Sequence, residues 1–131
     1  MANINWEPQK MATGISEVDT QHQEWIRRYN EFNDAIQQGK GIESVQGTLD
    51  FFIDYADIHF ELEEAAMAER NCPAEKANLL AHQHMRNILI GFKSYSQKYG
   101  YSISEIMGLR IQMEEWLVEH ILTIDIQLRE S

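Results

Sequence analysis

Residues 49–67 read LDFFIDYADIHFELEEAAM. Leu49, Phe52, Ile53, Ala56, Phe60 and Met67 recur at steps of three, four or seven, which is the spacing of one buried face of an α-helix. The same helix carries His59 and, one turn later, Glu63. Residues four apart project from one helix face, so an imidazole and a carboxylate are aimed together toward the side that the apolar residues bury.

Working outward, three more segments show the same periodicity. The one before it has Trp25, Ile26, Tyr29, Phe32 and Ile36 at helical spacing, with Asp19 as the expected N-cap and Gly39 and Gly41 as the stop. The decisive segment itself is expected to run from about Glu43 to Arg70, where Asn71-Cys72-Pro73 breaks it. The next spans about Ala74 to Tyr99, with Leu79, Met85, Leu89 and Phe92 on one face and Gly100 at its end. The last carries Ile106, Leu109, Met113, Trp116, Leu117 and Ile121, runs to about Leu128 and has Ser104 as the expected cap. Residues 1–17 lack sustained periodicity and read as an extended arm packed by Trp6. Four amphipathic helices on short connections predict an all-α, up-down-up-down antiparallel four-helix bundle over residues 1–131, one domain with an N-terminal arm. That pattern fixes a fold and leaves the function open.

Composition excludes several functions. A net charge of -10 opposes electrostatic binding to nucleic acid or anionic membranes. No run approaches the length of a membrane span, and Met1 to Lys10 holds no apolar run of the secretory type, so a cytoplasmic protein is expected. Cys72 is the single cysteine, which rules out an internal disulfide framework. There is no Glu-x-x-His, His-Glu-x-x-His, Cys-x-x-Cys or glycine-rich phosphate loop. No catalytic set is nominated, and the expectation is that the protein is not an enzyme.

The histidines carry the chemistry. His22, His59, His82, His84 and His120 place at least one imidazole on each predicted helix, at heights that an antiparallel bundle brings level. Any one of them alone is ordinarily a hydrogen-bonded core residue. Four helices aiming imidazoles at one point, with Glu63 beside them, instead make the nitrogen-and-oxygen ligand set of non-haem iron. Glu61 and Glu64 are expected to be solvated. Asp125 lies five residues after His120, about 140° around an ideal helix, so spacing alone makes it an exposed helix-end aspartate. A local turn of the π type would bring the two together.

At these residues the chain resembles the bacterial single-domain members of the hemerythrin family. Trp6, Gly14-Ile15 and Val18-Asp19-Thr20-Gln21-His22 resemble the family's arm and first ligand. His59-Phe60-Glu61-Leu62-Glu63-Glu64-Ala65-Ala66-Met67 and Trp116-Leu117-Val118-Glu119-His120-Ile121 followed by Asp125 are similar to its two most specific blocks. The resemblance implies two non-haem iron ions that bind dioxygen or another small diatomic ligand, for carriage, storage or sensing. It implies His22 and His59 on one iron, Glu63 and Asp125 bridging, and His120 with the third helix on the other. Leu117 and Ile121 are the candidates for a dry wall around the bound gas.

The chain departs from the family on the third helix, where the family has two histidines four residues apart and this chain has His82 and His84. Two residues apart is about 200° around a helix, so both cannot face one metal. The ungapped register puts His82 in the second position and Asn78 in the first, with Met85, Leu89 and Phe92 following as core. The alternative is a bulged helix that lets His84 join His82. A missing ligand keeps other functions in view: an oxygen- or nitric-oxide-reactive iron enzyme or sensor, or a single-metal or metal-free bundle acting as an interaction module. Oligomeric state is left open.

Overall fold

The computed structural model describes residues 3–131; Met1 and Ala2, the first two residues of the expected arm, lie outside the described residues. It is helical throughout: α1 (Pro8–Met11), α2 (Ser16–Gln37), α3 (Gly41–Glu69), α4 (Glu75–Tyr99) and α5 (Ile103–Thr123), then a 3-10 segment, Asp125–Glu130. The long helices α2 to α5 form the bundle, with α3 packed against α2, α4 and α5. Their core-facing residues are those the periodicity picks out, among them Trp25, Tyr29, Phe32, Leu49, Phe52, Phe60, Met85, Leu89, Leu109 and Met113. Leu79 is the exception. It is 44% exposed, because the neighbouring Asn78 and not Leu79 faces inward.

The ends of the elements differ from expectation for identifiable reasons. The arm is not extended: it contains α1 and is held by buried Ile4 and Met11, with Trp6 only partly buried against the core. Asp19 does not cap α2. It sits inside the first turn, where its Oδ1 accepts from the Thr13 backbone N–H at 2.7 Å and the Thr13 hydroxyl at 2.8 Å, tying the arm down. The cap of α5 is Ser102 and not Ser104. The Ser102 hydroxyl oxygen accepts from the Glu105 N–H and its O–H donates back to the Glu105 carboxylate, so that Ser102 and Glu105 satisfy each other's groups at the helix start. Gly100 ends α4 at φ 80, in the left-handed region that a side chain resists.

The core is divided. A larger apolar cluster runs from Ile4 to Ile121, and a second contains Val18, Ala66, Met67, Cys72, Ala74 and Leu128. On every strut of the bundle polar residues separate the two. His22 lies between Val18 and Trp25, Glu63 between Phe60 and Ala66, Asn78 and His82 between Ala74 and Met85, and Asp125 between Ile121 and Leu128. A dry polar slice is thereby closed above and below by hydrocarbon.

Ser102→Ala should lower stability by about 1 kcal/mol through loss of the cap, whereas Ser104→Ala should stay within about 0.5 kcal/mol of wild type. Urea unfolding of the metal-free protein measures both.

Candidate metal centre

The slice is built from one short stretch of each bundle helix. His22 comes from the first half of α2, His59 and Glu63 from the second half of α3, Asn78 and His82 from the first half of α4 and His120 from the end of α5. That these heights coincide is what antiparallel packing of neighbours requires. Asp125 joins them by a route other than the π turn. The α-helix stops at Thr123, Ile124 takes a distorted helical conformation, and Asp125 opens the 3-10 segment, whose tighter winding swings it inward. It becomes fully buried.

Two carboxylates lie at the centre, both with 0% exposure. Glu63 Oε2 is 2.9 Å from His22 Nε2 and 3.3 Å from His59 Nε2; its other oxygen, Oε1, is 2.8 Å from His82 Nε2 and 3.3 Å from His120 Nε2. Asp125 repeats the division, with Oδ2 2.9 Å from His22 Nε2 and Oδ1 2.9 Å from His120 Nε2. Two groups of potential ligands result, His22–His59–Glu63–Asp125 and Glu63–His82–His120–Asp125, each with its ligand atoms within 4.8 Å of one another. The carboxylates belong to both. His84 belongs to neither; it is exposed on an unbroken α4, which excludes the bulged-helix alternative.

The electrostatics demand positive charge here. Burial alone would push the His22 imidazole toward the neutral form, but hydrogen bonds and charge from Asp125 and Glu63 overcome it and raise its pKa to about 10. Burial opposes the charged form of His120 as well, and Asp125 and then Glu63 raise it to about 9. Burial disfavours the Glu63 carboxylate too, yet four surrounding imidazoles hold it ionised, well below the usual carboxylate range. At His59 burial wins and keeps the ring neutral, the form that ligates a cation. Protons on imidazoles thus supply the charge that divalent cations would otherwise bring. Buried His22 Nδ1 and His120 Nδ1 have no hydrogen-bond partner among the described residues. Such atoms, around two buried acids and four imidazoles, fit a pair of cations held by Nε2 and carboxylate oxygens.

Several side chains around the ligands act on their orientation. His59 Nδ1–H donates to Gln21 Oε1 at 2.8 Å, and His82 Nδ1–H donates to Glu64 Oε2 at 2.8 Å. Each bond fixes the tautomer that leaves Nε2 free to face the carboxylates. Glu64 is therefore not the solvated bystander expected from its place on the α3 face. Its position one turn C-terminal to Phe60 on α3 points it across to α4, a relation invisible until the two helices are packed. The Phe60 ring stacks on His82 at 3.8 Å and Trp116 stacks on His120 at 4.4 Å, so two residues read only as core also clamp imidazoles.

A bundle with two carboxylate-linked groups of imidazoles in its dry centre is a cation-binding helical protein. Comparison with known proteins makes the class specific. The family model of the hemerythrin HHE cation binding domain matches residues 13–128, and the chain belongs to that family. Bacteriohemerythrin of Pseudomonas aeruginosa is 27% identical over 125 residues, 95% of this chain and 78% of the relative. Bacteriohemerythrin of Methylococcus capsulatus is 27% identical over 127 residues, 95% of this chain and 93% of the relative. A solved structure of a leucine-to-phenylalanine mutant has a TM-score of 0.83 to this chain at 21% identity, covering 98% of this chain and 99% of its own, and shares the fold. No helix among the described residues is long and apolar enough to cross a membrane.

Loss of the Glu64 carboxylate should weaken metal affinity by about tenfold or more through a mis-set His82 ring, whereas Glu61→Ala should have little effect. Competition titrations of Glu64→Ala and Glu61→Ala against a calibrated chelator separate the two. His82→Ala should empty one cation position and His84→Ala should leave both filled, which metal analysis of the purified variants reads directly.

Proposed function

We propose that the chain holds two non-haem irons in the polar slice and binds dioxygen there reversibly. The observation that carries this reading is the division of both carboxylates. Glu63 and Asp125 each turn one oxygen toward the His22 side and the other toward the His120 side, so each could offer an oxygen to a cation on either side. Membership of the hemerythrin family supports iron as the metal.

Such an iron pair, when bound, supplies the electrons and the open position that a diatomic ligand needs. The chain supplies everything else. His22 and His59 would hold one position, His82 and His120 the other, and Glu63 and Asp125 would supply negative charge to both. Gln21 and Glu64 fix the His59 and His82 rings. The apolar clusters on either side exclude water and its protons from the slice. Leu117 and Ile121, three residues before and one after His120, are both buried and are the residues we assign to that wall.

A second reading rests on a different feature. A groove of about 660 Å³ between α4 and α5 is lined by His84, Trp116, Glu119 and His120 among others, and so reaches a candidate ligand. Access at that side suits a sensor or a reactive centre for oxygen or nitric oxide, in which the ligand is consumed or reported and not stored. Cycles of dioxygen addition and removal distinguish these: a carrier returns to its starting spectrum, a reactive centre does not.

Iron-replete protein should contain about two irons per chain and change its visible spectrum reversibly with dioxygen. A reproducible value near one, or zinc in place of iron, contradicts the proposal. Leu117→Ala and Ile121→Ala should each speed decay of the oxygenated form by admitting water, measured by stopped-flow absorbance; unchanged rates in both would place the wall elsewhere.

A further inference from the structure

We propose that Asn78 is itself a ligand of the second cation position, presenting its amide oxygen beside His82 and His120. This deepens the metal-binding reading above and rests on it. Asn78 has 0% exposure and stands one helical turn before His82 on the same face of α4. The inward end of its amide lies 2.8 Å from Glu63 Oε1, 2.9 Å from His82 Nε2, 2.9 Å from His120 Nε2 and 3.3 Å from Asp125 Oδ1. His82 Nε2, His120 Nε2 and Glu63 Oε1 are in turn 2.8 to 3.3 Å from one another. Ligand atoms on one ion with bonds of about 2.1 Å stand about 3.0 to 3.4 Å apart, so the four atoms have roughly the mutual spacing of a coordination shell.

The chemistry of the amide favours the same conclusion. With no cation present, hydrogen bonding is satisfied only when the NH₂ faces inward. That group has only two hydrogens and is surrounded by four polar atoms, two carboxylate oxygens and two imidazole nitrogens. With a cation present, the five atoms are all lone-pair donors to one charge, and a half-turn of the amide brings Oδ1 into the set. Oxygen and nitrogen of an amide occupy nearly the same volume, so the turn needs no repacking. An Asn at this depth with neither role would carry the cost of an unsatisfied buried amide. The second position would then differ from the first in donor set and not in ligand charge, since both share Glu63 and Asp125 and carry two imidazoles, and only the second adds a neutral amide oxygen.

The rival arrangement keeps the NH₂ inward at all times and so closes that position to metal. Iron release decides between them. Wild type, Asn78→Ala and Asn78→Asp are loaded anaerobically with Fe(II), checked for helix content by circular dichroism, and mixed with a coloured Fe(II) chelator. We expect Asn78→Ala to release iron about tenfold faster or more, and Asn78→Asp, which keeps an oxygen in place, to release it no faster than wild type. An Asn78→Ala rate equal to wild type overturns the proposal. So does an Asn78→Asp rate as fast as that of Asn78→Ala. A higher iron content in Asn78→Ala than in wild type overturns it in favour of the inward NH₂. If wild type holds only about one iron but Asn78→Ala releases it faster, the ligand assignment stands and the two-iron reading fails.

Discussion

Glu63 and Asp125 are two carboxylates with no access to solvent, set side by side in the middle of a small helical bundle. An uncompensated buried charge costs several kcal/mol, and two like charges together cost more. Every other feature of the centre answers that constraint. Four imidazoles surround the pair, and the two nearest Asp125 take up protons far above their ordinary range when no cation is there to do the work. The pair is tolerable only because each helix contributes a group at the same height, so the bundle's topology and its electrostatics are one design. Displacing one helix by a turn would leave a carboxylate oxygen facing hydrocarbon.

The constraint also explains why the core is split. A ligand set that must stay dry needs apolar closure on both sides, and the bundle provides it with separate clusters above and below. Aromatic rings perform two tasks at that boundary. Phe60 and Trp116 fill volume in the larger cluster and lie flat on His82 and His120, restricting the ring rotations that would otherwise spoil the alignment.

Much of this was legible in the sequence because helical periodicity is a local property. Leu49 to Met67 declares its buried face, and His59 and Glu63 on that face declare chemistry. The register of α4 could also be read, since Met85 and Leu89 must be core and therefore Asn78 and His82 must be inward. What could not be read depends on contacts between helices or on local backbone geometry. Asp125 faces the site because the α-helix gives way to a 3-10 segment after Thr123, and five-residue spacing in a uniform helix points it elsewhere. Glu64 meets His82 across the α3–α4 interface. Leu79 looks like a core residue by type, but its neighbour Asn78 has the inward position, and chemistry at the centre overrides hydrophobicity there. Ser102 and Ser104 are equivalent by composition, and only the backbone entering α5 selects the first.

Under the proposed function Glu63 and Asp125 join two cations, one on the His22–His59 side and one on the His82–His120 side. Anomalous X-ray diffraction from crystals of the iron-loaded protein, recorded above and below the iron absorption edge, tests it without reference to activity. Two anomalous peaks are expected in the polar slice, each beside two of these imidazoles, with both carboxylates between them. A single peak, or two peaks not spanned by Glu63 and Asp125, would contradict it.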